Sequence, residues 1–145
     1  MLDFDFEPEA PGWSKRVAAF DLETTGLDLK TARIVTACVV VLGPTGEVEN
    51  LREWIVNPGI EIPQAASDVH GVTTEAAVRD GMDPLSAIAE ISQELKKLNA
   101  TMPLVAFNAP YDFTILANEA IRYQLEPLEP QSVIDPLVLD RKVDK

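Results

Sequence analysis

Residues 17–23 read VAAFDLE, a short apolar run that carries two carboxylates at alternate positions and closes on TTG. An apolar run bounded by a glycine turn predicts a buried strand. Side chains alternate along a strand, so Asp21 and Glu23 share one face at its C-terminal end. Two like charges held that close raise each other's proton affinity unless a cation neutralises them. Ligand sets made only of oxygen suit Mg²⁺ or Mn²⁺. The pair alone is equally compatible with a solvated strand end whose acids cap the turn. The turn itself favours a ligand site: Gly26 permits an unusual backbone angle, and Thr24 and Thr25 bring hydroxyls and N–H groups beside the pair.

RIVTACVVVLG (33–43) reads as a second strand, rich in β-branched residues, and VENLREWIVNP (48–58) as a third, joined through the PTG turn at 44–46. These form an antiparallel meander. Residues 59–73 read as irregular, with a short helix starting at Thr73-Thr74-Glu75. DPLSAIAEISQELKKLN (83–99) has helical periodicity: Asp83 caps, Pro84 fits the first turn, and Leu85, Ile88, Ile91, Leu95 and Leu98 fall on one face. PLVAFN (103–108) is a fourth strand, YDFTILANEAIRYQL (111–125) a second helix and SVIDP (132–136) a fifth strand, with PLVLDRKVDK opening a third helix. The pattern predicts the α/β class, a mixed sheet of five strands, three antiparallel and then parallel, with flanking helices. Residues 1–16 read as an acidic arm and 17–145 as the domain. Cys38, Phe107 and Phe113 read as core residues, Trp13 and Trp54 as packing residues.

The formal net charge of −12 repels nucleic acid at long range, so any action on it needs a local site with bound cations. One cysteine excludes an intramolecular disulfide and fits a reducing compartment. No apolar run reaches transmembrane length, and the N-terminus is acidic where a signal peptide is basic. The expectation is a cytoplasmic protein with no membrane partner.

A second acid lies in AFNAPYDF (106–113), where Asp112 falls in the first turn of a helix. The helix dipole alone accounts for an acid there. In the expected fold, however, that helix starts beside the end of the first strand, and Asn108 either orients the loop or bonds a ligand. Together the two stretches resemble the DEDD-type 3′–5′ exonucleases, a family that includes the proofreading epsilon subunit of bacterial DNA polymerase III. FDLETTGLD is similar to the family's first motif, NAPYDF to its second, and IPQAASDVHGVT to its loop carrying a His-Gly-Ile/Val-Thr stretch. The resemblance runs from about residue 16 to the end.

It implies a ribonuclease-H-like fold and two metal ions, Mg²⁺ or Mn²⁺. Asp21 would bridge both ions, Glu23 ligate one and Asp112 hold the second. The implied reaction releases nucleoside 5′-monophosphates from the 3′ end of single-stranded DNA or RNA, DNA being preferred, with a DNA polymerase subunit as a further partner. Substrate contacts would come from Thr24, Thr25, Gly26, Leu27, His70 and Asn108, with Leu27 wedged against the terminal base. In the family the fourth carboxylate follows a His or Tyr by five positions. No His or Tyr follows Tyr123, and neither Asp135 nor Asp140 sits in that pattern. The expectation is therefore an N-terminal portion of the domain, lacking its C-terminal helix and impaired in hydrolysis. One sheet face would be left for an oligomer or a missing segment to cover. Two other classes compete: a non-catalytic module of the same fold that binds a nucleotide or a polymerase, and a haloacid-dehalogenase-type phosphotransferase. Glu23 in place of a second Asp, and the lack of a later lysine, argue against the latter.

Overall fold

A computed structural model describes residues 16–137. Its elements, in chain order, are β1 (Val17–Thr24), β2 (Ile34–Leu42), β3 (Val48–Ile55), α1 (Gln64–His70), α2 (Thr74–Asp80), α3 (Pro84–Asn99), β4 (Leu104–Val105), α4 (Ala109–Arg122) and β5 (Val133–Ile134). The sheet runs β3-β2-β1-β4-β5. β1, β2 and β3 pair antiparallel, and β4 and β5 join parallel, as the strand pattern predicts.

Alternation divides the sheet into two faces. Ala18, Phe20 and Leu22 of β1, with Ala37 and Val39 of β2, face a core built with Ile88, Ile91 and Leu95 of α3 and Ile115 and Leu116 of α4. Each such Ile or Leu contributes ~1.5–3 kcal/mol by leaving water. Phe113 packs on this core, its ring 5.5 Å from that of Phe20, and Trp54 is buried. On the other face, Leu51, Val40, Ala19, Val105 and Ile134 line up through the strand register as an apolar row across all five strands. Leu51 is exposed there and the other four are half-buried.

Several expectations need correction. Cys38 is not a core residue: it lies half-buried on the open face, opposite Asp21 on one side and Glu53 on the other. The valine run misled because alternate residues of β2 face opposite ways. Phe107, also read as core, is 66% exposed, since β4 ends at Val105 and Phe107 lies in the turn that follows. Leu85 at the start of α3 is exposed too. β3 stops at Ile55 and buries only Trp54, because it is the sheet edge. β4 and β5 shrink to two residues each, and α4 starts at Ala109 rather than 111. The stretch 59–73 is not wholly irregular, for it contains α1. That helix buries none of its residues, so it leaves no apolar stripe to read. The helix expected at Thr74 does form, with the Thr73 hydroxyl accepting the Ala76 N–H at 3.1 Å. The acidic arm apart from Arg16, Trp13, Asp140 and the third helix after Leu137 lie outside the described residues.

α2 is moored to the sheet through Gly81. Asn57 donates to Met82 O at 2.9 Å and Met82 N–H to Ile55 O at 2.7 Å, so the backbones meet directly. A Cβ at Gly81 would run into the backbone of Ala77, Val56 and Asn57, the last at 2.5 Å. Gly81→Ala is expected to destabilise the domain by about 1–3 kcal/mol, as overpacking against rigid backbone does. Urea unfolding checks this; an unchanged midpoint would show that the backbones separate freely.

Candidate active site

β1 outruns its parallel neighbour. The last β1–β4 pair is Ala19 with Val105, so residues 20–24 have β2 on one side and a gap on the other. Tyr111, in the first turn of α4, bonds to the turn that follows this strand end. This lets a helix that packs on the covered face bring Asp112 near acids that point to the open one.

Asp112 is 4% exposed. Burial, first, and then the charges of Asp21 and Glu23 push its carboxyl up to about 7. The three acids are thus electrostatically one site. Asp21 keeps more solvent; partial burial raises its carboxyl against a lowering hydrogen bond from the Leu22 backbone. No Lys, Arg or His forms an ion pair with any of the three among the described residues.

The start of α4 is fixed from a distance. Asn108 adopts the left-handed conformation (φ 58°, ψ 54°), which asparagine tolerates, and its side chain makes no capping bond. Asp135 supplies the cap instead, accepting N–H bonds from Asn108 (3.1 Å), Ala109 (2.9 Å) and Leu137 (2.9 Å). The left-handed backbone of Asn108 thus shapes the turn into α4. Asp135 holds the helix that carries Asp112, a role that no local pattern announces.

The turn after β1 also differs from expectation. Thr24 keeps the inward phase of Ala18, Phe20 and Leu22 and is buried, and the register with β2 shifts beside it, where Val35 is left without a partner on β1. Its hydroxyl bonds the Gly26 carbonyl at 2.8 Å, and Thr25 exchanges bonds with Arg33: its N–H donates to Arg33 O and its hydroxyl accepts the Arg33 N–H, each at 2.9 Å. These hydroxyls hold the turn together. Gly26 lacks the unusual angle predicted for it; the positive-φ glycines are Gly46, Gly59 and Gly71. Leu27, at the tip, is 87% exposed, as expected for the mouth of the site. Tyr111 was missed: its hydroxyl donates to Gly26 O at 2.8 Å and lies 3.0 Å from the Thr24 hydroxyl. Further along α4, Asn118 donates to Leu29 O (2.9 Å), Arg122 to Lys30 O (3.2 Å), and the buried Glu119 accepts the Ile34 N–H (2.8 Å). His70 closes α1, with Nδ1 accepting the Val72 N–H at 3.2 Å and a buried Nε2 that has no partner. No hydrogen bond ties His70 to the three acids.

The donor chemistry fits a hard divalent cation: three carboxylates, no sulfur or nitrogen, and an anionic pocket without a basic neighbour. The spacing is looser than a finished cage, for no group of three or more His, Cys, Asp or Glu among the described residues closes tightly enough to hold an ion. The acids are near enough to share charge but not a single ion. Mg²⁺ keeps several waters and needs only one or two carboxylates, so the two findings agree.

Residues 18–145 match the Exonuclease family. Over 111 residues the chain is 37% identical to a DNA polymerase III subunit epsilon-like protein of Rhodobacter capsulatus, covering 70% of this chain and 14% of that protein. Over 131 residues it is 28% identical to the chloroplastic/mitochondrial exonuclease DPD1 of Arabidopsis thaliana, covering 87% of this chain and 40% of that protein. The chain therefore spans less than half the length of either relative. Among solved structures it is similar to E. coli exonuclease I in complex with a dT13 oligonucleotide (TM-score 0.75, 17% identity, covering 90% of this chain and 30% of that one). That likeness establishes the ribonuclease-H-like fold.

The raised Asp112 carboxyl makes stability pH-dependent. Its folded value, about 7, lies above the ordinary 3.8 of the unfolded chain, so its contribution is full below the unfolded value and is lost as pH rises through about 7. Asp112→Asn removes the charge. Without divalent metal, the variant is expected to exceed the parent in stability by about 1–3 kcal/mol at pH 8 and to match it near pH 4. Denaturant titrations at the two pH values check this; an equal gap at both would detach the effect from ionisation.

Proposed function

The chain belongs to the Exonuclease family of DEDD-type 3′–5′ exonucleases, and from that membership we propose that it hydrolyses the terminal phosphodiester at the 3′ end of single-stranded DNA, releasing nucleoside 5′-monophosphates. The observation that carries this reading is the charge coupling of Asp112 to Asp21 and Glu23 at the end of β1. The names of the relatives support DNA over RNA, and the oligonucleotide held by exonuclease I supports a single strand. The epsilon-like relative further suggests a DNA polymerase subunit as partner.

Asp21, Glu23 and Asp112 would hold two Mg²⁺ or Mn²⁺ ions. Once bound, such ions lower the pKa of a nucleophilic water and stabilise the leaving oxygen. The chain's own residues do the rest. Asp112 has to release its proton before it can act as a ligand. Leu27, on the exposed tip, presses on the face of the terminal base, and His70 donates to a sugar or phosphate oxygen. The Thr24–Gly26 turn sets how far Leu27 stands from the acids. The phosphorus–O3′ bond breaks, and the shortened strand keeps a 3′ hydroxyl. No helix among the described residues is long and apolar enough to cross a membrane; a cytoplasmic location remains part of this proposal.

Calorimetric titration with Mn²⁺ is expected to show binding that tightens between pH 6 and pH 8, roughly either side of the Asp112 value, because binding displaces a proton. Asp21→Asn should abolish it; binding equal to the parent would place the metal elsewhere. On a labelled single strand, Asp21→Asn or Glu23→Gln is expected to lower Mg²⁺-dependent mononucleotide release by about three orders of magnitude. Metal binding without any release by the parent would favour the non-catalytic nucleotide-binding alternative.

His70→Ala and Leu27→Ala are expected to weaken nucleoside 5′-monophosphate binding by up to roughly tenfold at saturating Mn²⁺ while sparing metal affinity. If both variants bind nucleotide as the parent does, with the fold intact by circular dichroism, the two loops are structural only.

A further inference from the structure

α4 carries Asp112, and the same helix grips the loop after β1 at four points. Three of them, Asn118 on Leu29 O, Arg122 on Lys30 O and Glu119 on the Ile34 N–H, hold the loop beyond Leu27. Only Tyr111 holds it before Leu27. Its hydroxyl and that of Thr24 both lie 2.8 Å from the Gly26 carbonyl and 3.0 Å from each other. Two hydroxyl protons thus serve three contacts around one carbonyl, whose two lone pairs accept both. Thr24 directly follows Glu23, Tyr111 directly precedes Asp112, and Gly26 directly precedes Leu27. One small cluster therefore joins the strand end that carries two of the acids, the helix start that carries the third, and the exposed tip.

We propose that the Tyr111 hydroxyl is a positioning latch, which sets the separation of Glu23 from Asp112 and the stance of Leu27 over the terminal nucleotide. Ring and hydroxyl have separable tasks. The ring packs against the main core, so it survives a change to phenylalanine. The hydroxyl reaches past the core to a turn that has no other tie to α4 among the described residues. Gly26 makes that tie matter: nothing lies within 4 Å of where its Cβ would stand, so sterics alone do not hold the turn. Thr24 is buried, which keeps water from competing for the cluster.

This inference deepens the proposed hydrolysis and rests on it for the meaning of the acids, so the test reads the latch in three ways. Tyr111→Phe, Thr24→Val and the double variant are compared with the parent, and Tyr123→Phe serves as a control for loss of a hydroxyl elsewhere on the same core. In metal-free protein, hydrogen exchange at residues 24–28 should quicken in Tyr111→Phe and stay unchanged at 29–34, where the other grips act. Mn²⁺ affinity and turnover should each fall about three- to tenfold, with the double variant no worse than the worse single one, because both remove the same cluster. Tyr123→Phe should match the parent throughout. Faster exchange with unchanged Mn²⁺ affinity and turnover would reduce Tyr111 to a structural tie and overturn the proposal. Losses that multiply in the double variant would overturn the shared cluster. Failure of the hydrolysis reading shows itself separately, as Mn²⁺ binding indifferent to Asp21→Asn or as a parent that binds metal without turnover. In the latter case the exchange and affinity readings still decide the latch.

Discussion

The mutual repulsion of Asp21, Glu23 and Asp112 is the constraint around which the rest of this structure is arranged. A carboxyl that is 4% exposed and faces two other acids resists ionisation, which is why Asp112 holds its proton up to about 7. Once ionised, such a group would push the strand end and the helix start apart. The chain opposes this with hydrogen bonds to backbone groups rather than with counter-charges paired to the three acids. Asp135 fixes the start of α4 from beyond β5, and Tyr111, Asn118, Glu119 and Arg122 fix the loop from along α4. Because none of these ties pairs a base with the three acids, the site stays anionic and attracts a cation; a lysine in the same place would have satisfied the acids and closed the site to metal.

The sheet explains why the pocket lies where it does. Its covered face is dry and packed by α3 and α4, and its other face carries the apolar row from Leu51 to Ile134 with Asp21, Cys38 and Glu53 in the next row. Cys38 feels that acidic row: burial, then Glu53 and then Asp21 raise its thiol. Such a thiol is less reactive than an ordinary one, which makes it a poor nucleophile beside the acids. β1 extends past β4, and the start of α4 lies near the strand end left without that neighbour. The acids sit there, low enough to be desolvated and open enough to be reached.

The parts of this arrangement that sequence reveals are those with short-range periodicity. The acids at alternate positions of β1, the apolar face of α3 and the capped start of α2 each follow from residues a few places apart. The strand order was also readable, since the short turns of the meander and the later helix–strand alternation leave few options. The unread parts are long-range. Tyr111 meets Gly26 across 85 residues, Glu119 meets Ile34 across 85, and Asp135 meets Ala109 across 26. A polar residue in a helix carries no mark of which distant carbonyl it serves. The misreadings of Cys38 and Phe107 share another cause: an apolar neighbourhood in sequence is not a buried one when strand alternation or the end of a strand turns the side chain outward.

On the proposed reading, an acidic protein that acts on a polyanion has to separate affinity from catalysis in space. With a net charge of −12, the surface as a whole disfavours nucleic acid, so attraction has to be local and borrowed from cations. On that reading the borrowed charge would sit where Asp21, Glu23 and Asp112 gather, which would confine productive contact to a nucleic-acid end that reaches them. Discrimination between a terminal nucleotide and an internal one then falls to neutral groups at the rim. Leu27 is suited to this, exposed at the tip of a turn whose geometry the same helix fixes as it fixes Asp112. On that reading α4 carries one of the acids and ties down the turn that bears Leu27, so a displacement of α4 would move Asp112 and Leu27 together.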